Sequence, residues 1–340
     1  MLKIITKRGK MKFLVVGLGS MGKRRVRNLQ YLKAGEIIGF DLRKERCREA
    51  REKYNIKTFA RFKEAMAENP DVFIISVPSN LHHHYAMIAA QHNKHFFTES
   101  NFLPQGIDDL INVEKKKNIV AVPSFTMPHH PSVKLMKKFT EENKIGKILS
   151  FTYHLGAYLP AWHPWEDYRK VYFSKKETPG SKEMVACELT WIVWMLGNVK
   201  RVSTFKGKLS NLETAIDDVY QIILEFKNGI LGNMLIDIVS QPSEREMRLI
   251  GEKGTIHWYS EKDLIKVFDA KKNKWKSYIK KEKISQPGYS VKTHEEMYVE
   301  EIEDFIKAIK GRQNYPYTFS QEKNIINILR AIEKSAEKFA

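Results

Sequence analysis

Apolar residues follow two rhythms along this chain. In the first third, short continuous apolar runs alternate with stretches spaced for one helical face. Lys12–Gly17, Glu36–Asp41, Asp71–Val77, His95–Thr98 and Ile119–Val122 read as strands, and Ser20–Lys33, Lys44–Tyr54, Leu81–His92 and Ile107–Lys117 as helices. Continuous apolar strands separated by amphipathic helices predict a parallel sheet covered on both faces. Further on the rhythm changes. Ile148–Ala157, Val199–Leu209, Asp218–Phe226, Ile230–Val239, Glu246–Ile250, Thr255–Tyr259 and Leu264–Asp269 follow one another closely, with turn signals at Asn228-Gly229 and Glu252–Gly254. Strands so close together, without helices between them, predict a largely antiparallel sheet. Glu188–Leu196, anchored by Trp191, Trp194 and Met195, and Ser320–Phe339 read as helices.

The predicted fold class is therefore α/β: an N-terminal doubly wound parallel domain, followed by an α+β domain with a large open, mainly antiparallel sheet. The 340 residues are enough for about two domains, each with its own core. Hydrophobic residues at 42% and charged residues at 29% exclude wholesale disorder. No apolar run approaches the ~20 residues that span a bilayer, so no membrane partner is expected. Two cysteines, Cys47 and Cys187, cannot build a disulfide framework, which points to the cytoplasm. Met1–Lys10 reads as a disordered basic leader and lacks the apolar core of a secretory signal.

The net charge of +18 raises the question of nucleic acid. Most basic residues alternate with glutamate, as in Arg43–Lys53 and Lys134–Lys147. The densest runs, Lys115–Lys117 and Lys271–Lys283, carry little aromatic interleaving and no accompanying motif, so no nucleic-acid partner is expected. A positive field instead favours small anionic ligands.

The first predicted turn carries the clearest chemistry. Gly17-Leu18-Gly19-Ser20-Met21-Gly22 follows a strand and opens a helix, and Asp41 ends the next strand about 20 residues on. In that context Gly17 makes the tight turn, Gly19 lets the backbone approach a pyrophosphate, and Gly22 allows close helix–strand packing. The N–H groups that open the helix then face the phosphates. Asp41 suits the adenosine ribose hydroxyls and so favours NAD, while Arg43 offers a partner for a 2′-phosphate and keeps NADP open. Lys23, Arg24 and Arg25 add positive potential or face solvent.

From Pro78-Ser79-Asn80-Leu81-His82 onward the chain resembles the Gfo/Idh/MocA oxidoreductases. The resemblance runs through "SVPSNLHHHYAMIAAQHNKHFFTES", "HPSVKLMKKFTEENKIGKI" (His130–Ile148), "ELTWIVWMLGNV" (Glu188–Val199) and "YPYTFSQEKNIINILRAIEKSAEKF" (Tyr315–Phe339). It implies an NAD(P)-binding Rossmann domain over 11–125, a substrate and oligomerisation domain over 126–318, and a helix over 319–340 that packs back on the first domain. It also implies hydride transfer between nicotinamide and a secondary alcohol or carbonyl of a sugar, polyol or nucleotide-sugar, and a homodimer or homotetramer built through the large sheet. Pro78, Ser79, Asn80, His82 and Glu99 would lie at the cofactor, alongside Ser20 and Met21 of the glycine turn.

The reaction centre departs from the family pattern. Glu99-Ser100-Asn101 stands where Glu-Lys-Pro is usual, Cys187-Glu188 where a histidine precedes the acid, and Thr126-Met127-Pro128 where Asn and Arg are frequent. A hydroxyl proton still needs an acceptor, worth ~10²–10⁴ in rate. Ala161–Tyr172 (AWHPWEDYRKVY) offers the richest alternative. Trp162 and Trp165 suit a sugar face, Arg169 with Asp167 suits an anionic or hydroxyl group, and His163 or Tyr168 can move a proton; the same residues also read as a structural loop with surface ion pairs. Glu188 retains the family acid, and Lys182, placed before the helix, is a reserve. His82–His84 does not read as a metal site, because consecutive helical residues point about 100° apart. Two rival readings stand beside the dehydrogenase: a redox-assisted glycosidase that keeps its NAD, and a non-catalytic NAD-binding protein that lost the proton relay.

Overall fold

The computed structural model describes residues 10–100, 103–116, 118–279 and 294–337. The leader through Gly9, Asn101, Lys117, the end of the basic run from Lys280 to Lys283 and the last residues of the expected terminal helix lie outside them. The chain divides into two compact units. One is the chain up to Ser124 together with Tyr298–Glu322; the other is Phe125–Met297 together with the chain from Lys323 on.

The first unit holds strands β1 (Lys12–Val16), β2 (Glu36–Phe40), β3 (Lys57–Phe59), β4 (Val72–Ile75), β5 (His95–Thr98) and β6 (Ala121–Pro123). Between them run helices α1 (Ser20–Tyr31), α2 (Lys44–Tyr54), α3 (Phe62–Ala67), α4 (His82–Gln91) and α5 (Ile107–Lys116). Every neighbouring pair is parallel, in the order β3-β2-β1-β4-β5-β6. This is the doubly wound order, which reverses between β1 and β4 and leaves a crevice at the carboxyl ends of those strands. Phe13–Val16 and all of β4 are fully buried, which is why these strands read as uninterrupted apolar runs. The hydrophobic pattern predicts neither β3 nor α3, at three and six residues too short to display a period.

The second unit starts with helix α6 (Pro131–Glu141) and strand β7 (Ile148–Gly156), then helix α7 (Gly180–Leu196) and β8 (Val199–Gly207). It continues through β9 (Val219–Phe226), β10 (Leu231–Asp237), β11 (Glu244–Gly251), β12 (Gly254–Tyr259), β13 (Leu264–Asp269) and β14 (Lys274–Ile279). The eight strands lie in the order β14-β13-β12-β11-β7-β10-β9-β8. All pairs are antiparallel except β7 with β10. Alternation sorts the side chains: Phe151, Tyr153, Met234, Met247, Leu249, Trp258 and Ile265 are buried on one face. Trp191 of α7 packs edge-on against Tyr153 at 5.4 Å and Trp258 at 6.0 Å on that face. Register puts Phe205, Ile223, Leu231, Trp275 and Ile279 on the other face, and all are at least half exposed. β14 lay hidden in the basic run from Lys271, where lysines alternate with Trp275 and Tyr278.

Helices α8 (Glu295–Ile309) and α9 (Phe319–Glu337) end the chain and depart from the expected 126–318 and 319–340 division. Tyr298–Glu322 belongs to the first unit, where Phe305 packs on Phe97 at 5.7 Å, Phe319 packs on Phe96 at 6.1 Å and Glu301 pairs with Arg25. From Lys323 on, α9 belongs to the second, where Glu333 pairs with Lys206 at 2.9 Å.

Candidate functional site

The turn from β1 into α1 is built by its glycines. Gly17 has φ +92°, and a Cβ there would stand 2.6 Å from the Ser76 carbonyl oxygen. A Cβ at Gly22 would stand 1.8 Å from the Gly17 carbonyl oxygen. These two positions therefore exclude side chains for internal reasons. Gly19 differs: its nearest neighbour would be the Arg46 guanidinium at 3.3 Å, the end of a flexible side chain. Gly19 caps α1 without any side-chain hydrogen bond to the helix, and the first turn carries no acid. Ser20 and Met21 open the helix behind it. A helix N-terminus that opens on glycine, with no side-chain cap from Gly19, makes a natural phosphate seat. The cradle fits a dinucleotide's pyrophosphate.

Asp41 stands just past β2. Its Oδ2 accepts the Leu18 N–H at 2.8 Å and its Oδ1 accepts the Arg43 N–H at 2.9 Å. Each carboxylate oxygen retains a second lone pair, enough for two ribose hydroxyls. The Arg43 side chain is exposed, as is Leu42, which offers an apolar platform beside the acid. The second cation at Asp41 is Arg46, with Nη1 3.7 Å from Oδ2. The sequence reading missed Arg46 because α2 looks like a uniformly solvated charged helix.

Pro78, Ser79 and Asn80 form the turn after β4, with Pro78 capping a short 3-10 segment, Ser79 buried and Asn80 exposed. His82, the first residue of α4, is 2% exposed and donates from Nε2 to the Val77 carbonyl at 2.8 Å. Burial lowers its pKa, so a neutral imidazole braces the turn from beneath. Arg24 and Arg25 are buried, contrary to the solvated reading. Arg25 binds Glu99 through Nε at 2.7 Å and Nη2 at 2.8 Å, and Glu301 of α8 through Nη1 at 2.8 Å. Ser76 also donates to Glu99, at 3.0 Å. Burial alone would raise the Glu99 carboxyl, but the Arg25 guanidinium overrides it and holds Glu99 below the ordinary range. Glu99 is thus a fixed anion beneath the carboxyl ends of β4 and β5.

In the second unit Glu188 is 2% exposed and accepts three donors. Tyr153 Oη and Trp191 Nε1 both reach Oε2 at 2.6 Å, and Arg245 Nη2 reaches Oε1 at 2.8 Å. Burial and the adjacent Glu188 push the Tyr153 phenol well above its usual range. These three bonds occupy the carboxylate, which orients Arg245, whose side chain is 22% exposed. Neither Tyr153 nor Arg245 was singled out by the sequence, since one occupies an ordinary inward strand position and the other resembles a surface cation. Lys182 lies inside α7, which begins at Gly180, eight residues upstream of the predicted start, and not in a loop before the helix. Its Nζ lies 3.6 Å from Glu333 Oε2, so it serves an ion pair.

The Ala161–Tyr172 segment divides. Trp162 and Tyr168 pack against a small core of Leu159, Phe173, Ile216 and Ile238. Arg169 is held by Asp167 at 2.8 and 3.0 Å and by Glu213 at 2.9 Å, as a surface ion-pair cluster. The Tyr168 hydroxyl accepts the Glu213 N–H at 3.2 Å. These contacts turn Trp162, Tyr168, Asp167 and Arg169 toward structure. His163 and Trp165 stand at the edge of this core, with His163 edge-on to Phe173 at 5.3 Å. Their rings stack at 5.1 Å and 19°, Trp165 is 58% exposed, and Glu166 holds His163 Nδ1 at 2.8 Å. An open aromatic platform with an oriented imidazole remains.

Comparison with known proteins agrees with the cradle. Residues 11–125 match the family model described as an oxidoreductase family with an NAD-binding Rossmann fold, and 137–339 match its C-terminal alpha/beta domain. The myo-inositol 2-dehydrogenase of Thermotoga maritima is 24% identical over 345 residues, covering 96% of this chain and 97% of that protein. The levoglucosan dehydrogenase of Pseudarthrobacter phenanthrenivorans is 34% identical over 102 residues, which span 29% of this chain and only 25% of that protein. Among solved structures, a levoglucosan dehydrogenase in complex with NADH and levoglucosan superposes with TM-score 0.83 at 20% identity, covering 97% of this chain and 98% of the other. The WlbA dehydrogenase of Bordetella pertussis, in complex with NADH and UDP-GlcNAcA, superposes with TM-score 0.75 at 18% identity, covering 97% and 98%. With both family models matched across nearly the whole chain and the glycine turn built for a pyrophosphate, the chain belongs to the Gfo/Idh/MocA family of NAD-binding oxidoreductases.

Proposed function

We propose that this chain oxidises a secondary alcohol of a small cyclic polyol or sugar, or reduces the matching ketone. The observation that carries the reading is the cradle of Gly17, Gly19 and Gly22 with Asp41 beside it. The bound nicotinamide supplies the hydride acceptor. Relatives named for myo-inositol and levoglucosan support a compact polyhydroxylated substrate.

The chain's own residues then have distinct tasks. Gly19 and the α1 N-terminus seat the phosphates, and Asp41 accepts the ribose hydroxyls. Trp165 offers its exposed ring to the apolar face of a sugar. His163, oriented by Glu166, takes the hydroxyl proton, in place of the lysine and histidine that the family pattern would put at Ser100 and Cys187. Arg245, steered by Glu188, presents positive charge to an oxygen that becomes anionic during oxidation.

The test is NADH formation against a panel of cyclic polyols, anhydrosugars and nucleotide-sugars, myo-inositol and levoglucosan included. Turnover on at least one compact member is expected. In the responding assay, Trp165→Ala should raise KM about 3–10-fold. His163→Ala should lower kcat ~10²–10⁴-fold while NADH affinity holds. Unchanged kinetics in both variants would remove this segment from the reaction. Bound cofactor without turnover on any member would favour the non-catalytic reading, which Ser100 and Cys187 already favour by their chemistry.

We also propose that a second copy covers the open sheet face bearing Phe205, Ile223, Leu231, Trp275 and Ile279. Sedimentation should report more than one chain per particle, and Phe205→Asp with Trp275→Asp should shift it to one. A wild-type chain that sediments alone at micromolar concentration contradicts this.

A further inference from the structure

The ribose end of the cradle carries an arrangement that the glycine motif does not require. Asp41 is the acid that ordinarily rejects a 2′-phosphate by charge. Here its carboxylate is already covered from several sides. The Leu18 and Arg43 N–H groups bind one oxygen each, and the Arg46 guanidinium stands 3.7 Å from Oδ2. The same guanidinium lies 3.3 Å from the point where a Gly19 side chain would begin. Arg46 therefore bridges the phosphate turn and the ribose acid.

Its position follows from the helix. Arg46 is the third residue of α2, and side chains on an α-helix lean toward its N-terminus. From there a long side chain reaches back over the end of β2. The nearest acid one turn on, Glu49, is bound to Lys23 of α1 at 2.7 and 2.8 Å, so it does not draw Arg46 away. Arg43, which caps α2, and Lys44, its first residue, are both exposed and add positive charge beside Arg46.

We propose that the Asp41–Arg46 pair makes this a dual-coenzyme site: Asp41 accepts the ribose of NADH, and Arg46 swings from Asp41 to bind the 2′-phosphate of NADPH. The proposal rests on the dinucleotide reading and extends it to a choice that Asp41 alone would forbid. A guanidinium suits the task because it binds a carboxylate or a phosphate with the same planar fork.

The test is titration of the full-length protein with NADH and NADPH, followed by nicotinamide fluorescence, with 2′,5′-ADP and 5′-AMP as competing fragments. For the wild type, the two dissociation constants should lie within about tenfold, and NADPH binding should fall more steeply with salt. Arg46→Ala should weaken NADPH and 2′,5′-ADP at least ~10-fold more than NADH and 5′-AMP, and Arg46→Lys should restore part of the difference. Equal weakening of both coenzymes in Arg46→Ala would make Arg46 a general contact and overturn the proposal. So would a wild type that binds NADH yet shows no NADPH binding. A wild type that binds neither coenzyme would overturn the dinucleotide reading itself.

Discussion

Gly22→Ala is expected to weaken NADH by at least ~100-fold, roughly 2.8 kcal/mol. The new Cβ would start 1.8 Å from the Gly17 carbonyl oxygen, which is backbone and cannot swing aside. Relief requires α1 to lift from β1 by an ångström or more, and the phosphate-binding N–H groups move with it. The apo protein should also lose about 1–3 kcal/mol, the ordinary cost of overpacking. Gly19→Ala makes the informative contrast. Its Cβ meets only the Arg46 guanidinium at 3.3 Å, so the apo fold should melt as wild type while the methyl group intrudes where a pyrophosphate must approach. Calorimetric titration with NADH, beside thermal melts of both variants, measures the two effects separately. NADH affinity within threefold of wild type in both variants would take the phosphates away from this turn.

That turn was legible because it combines three independent signals: an apolar run buried on both faces, glycines where side chains collide with backbone, and an acid closing the next strand. The parallel order of the first sheet and the antiparallel character of the second follow from similar patterns. What stayed hidden was settled by partners far away in sequence. Arg25 reads as a solvated cation of α1 until Glu99 and Glu301 close around it. Glu188 reads as an available acid until Tyr153, Trp191 and Arg245 occupy it. The aromatic segment after β7 looks uniformly suited to a ligand, yet Trp162 and Tyr168 are drawn into a local core and Arg169 is held by its neighbours. Composition shows which groups are present; only packing shows which remain available to a substrate.

Arg25 also sets the largest stability effect. Its side chain is fully buried with Glu301, Glu99 is nearly so, and the Ser124 hydroxyl donates to Glu301 at 2.8 Å. One guanidinium thus compensates two carboxylates at the join of α1, β5 and α8. Arg25→Met keeps much of the volume and removes the guanidinium that both acids share, which is expected to cost about 3–5 kcal/mol at pH 8. The pH dependence should change sign. In the wild type, Glu99 is held below its ordinary pKa, so its contribution is present above about pH 4.3 and is lost as pH falls through the depressed value. In Arg25→Met, burial without the guanidinium raises Glu99, so the folded state binds a proton that the unfolded state has released. The deficit should therefore shrink on going from pH 8 to pH 5, and Glu301→Gln in the same chain should recover part of it at pH 8. Urea unfolding of the three proteins at both pH values measures this. A loss below ~1 kcal/mol, or one that grows with acid, would mean that water or backbone donors already compensate these carboxylates. Glu99 would then be open to act on a proton, and the case for His163 as the acceptor would weaken with it.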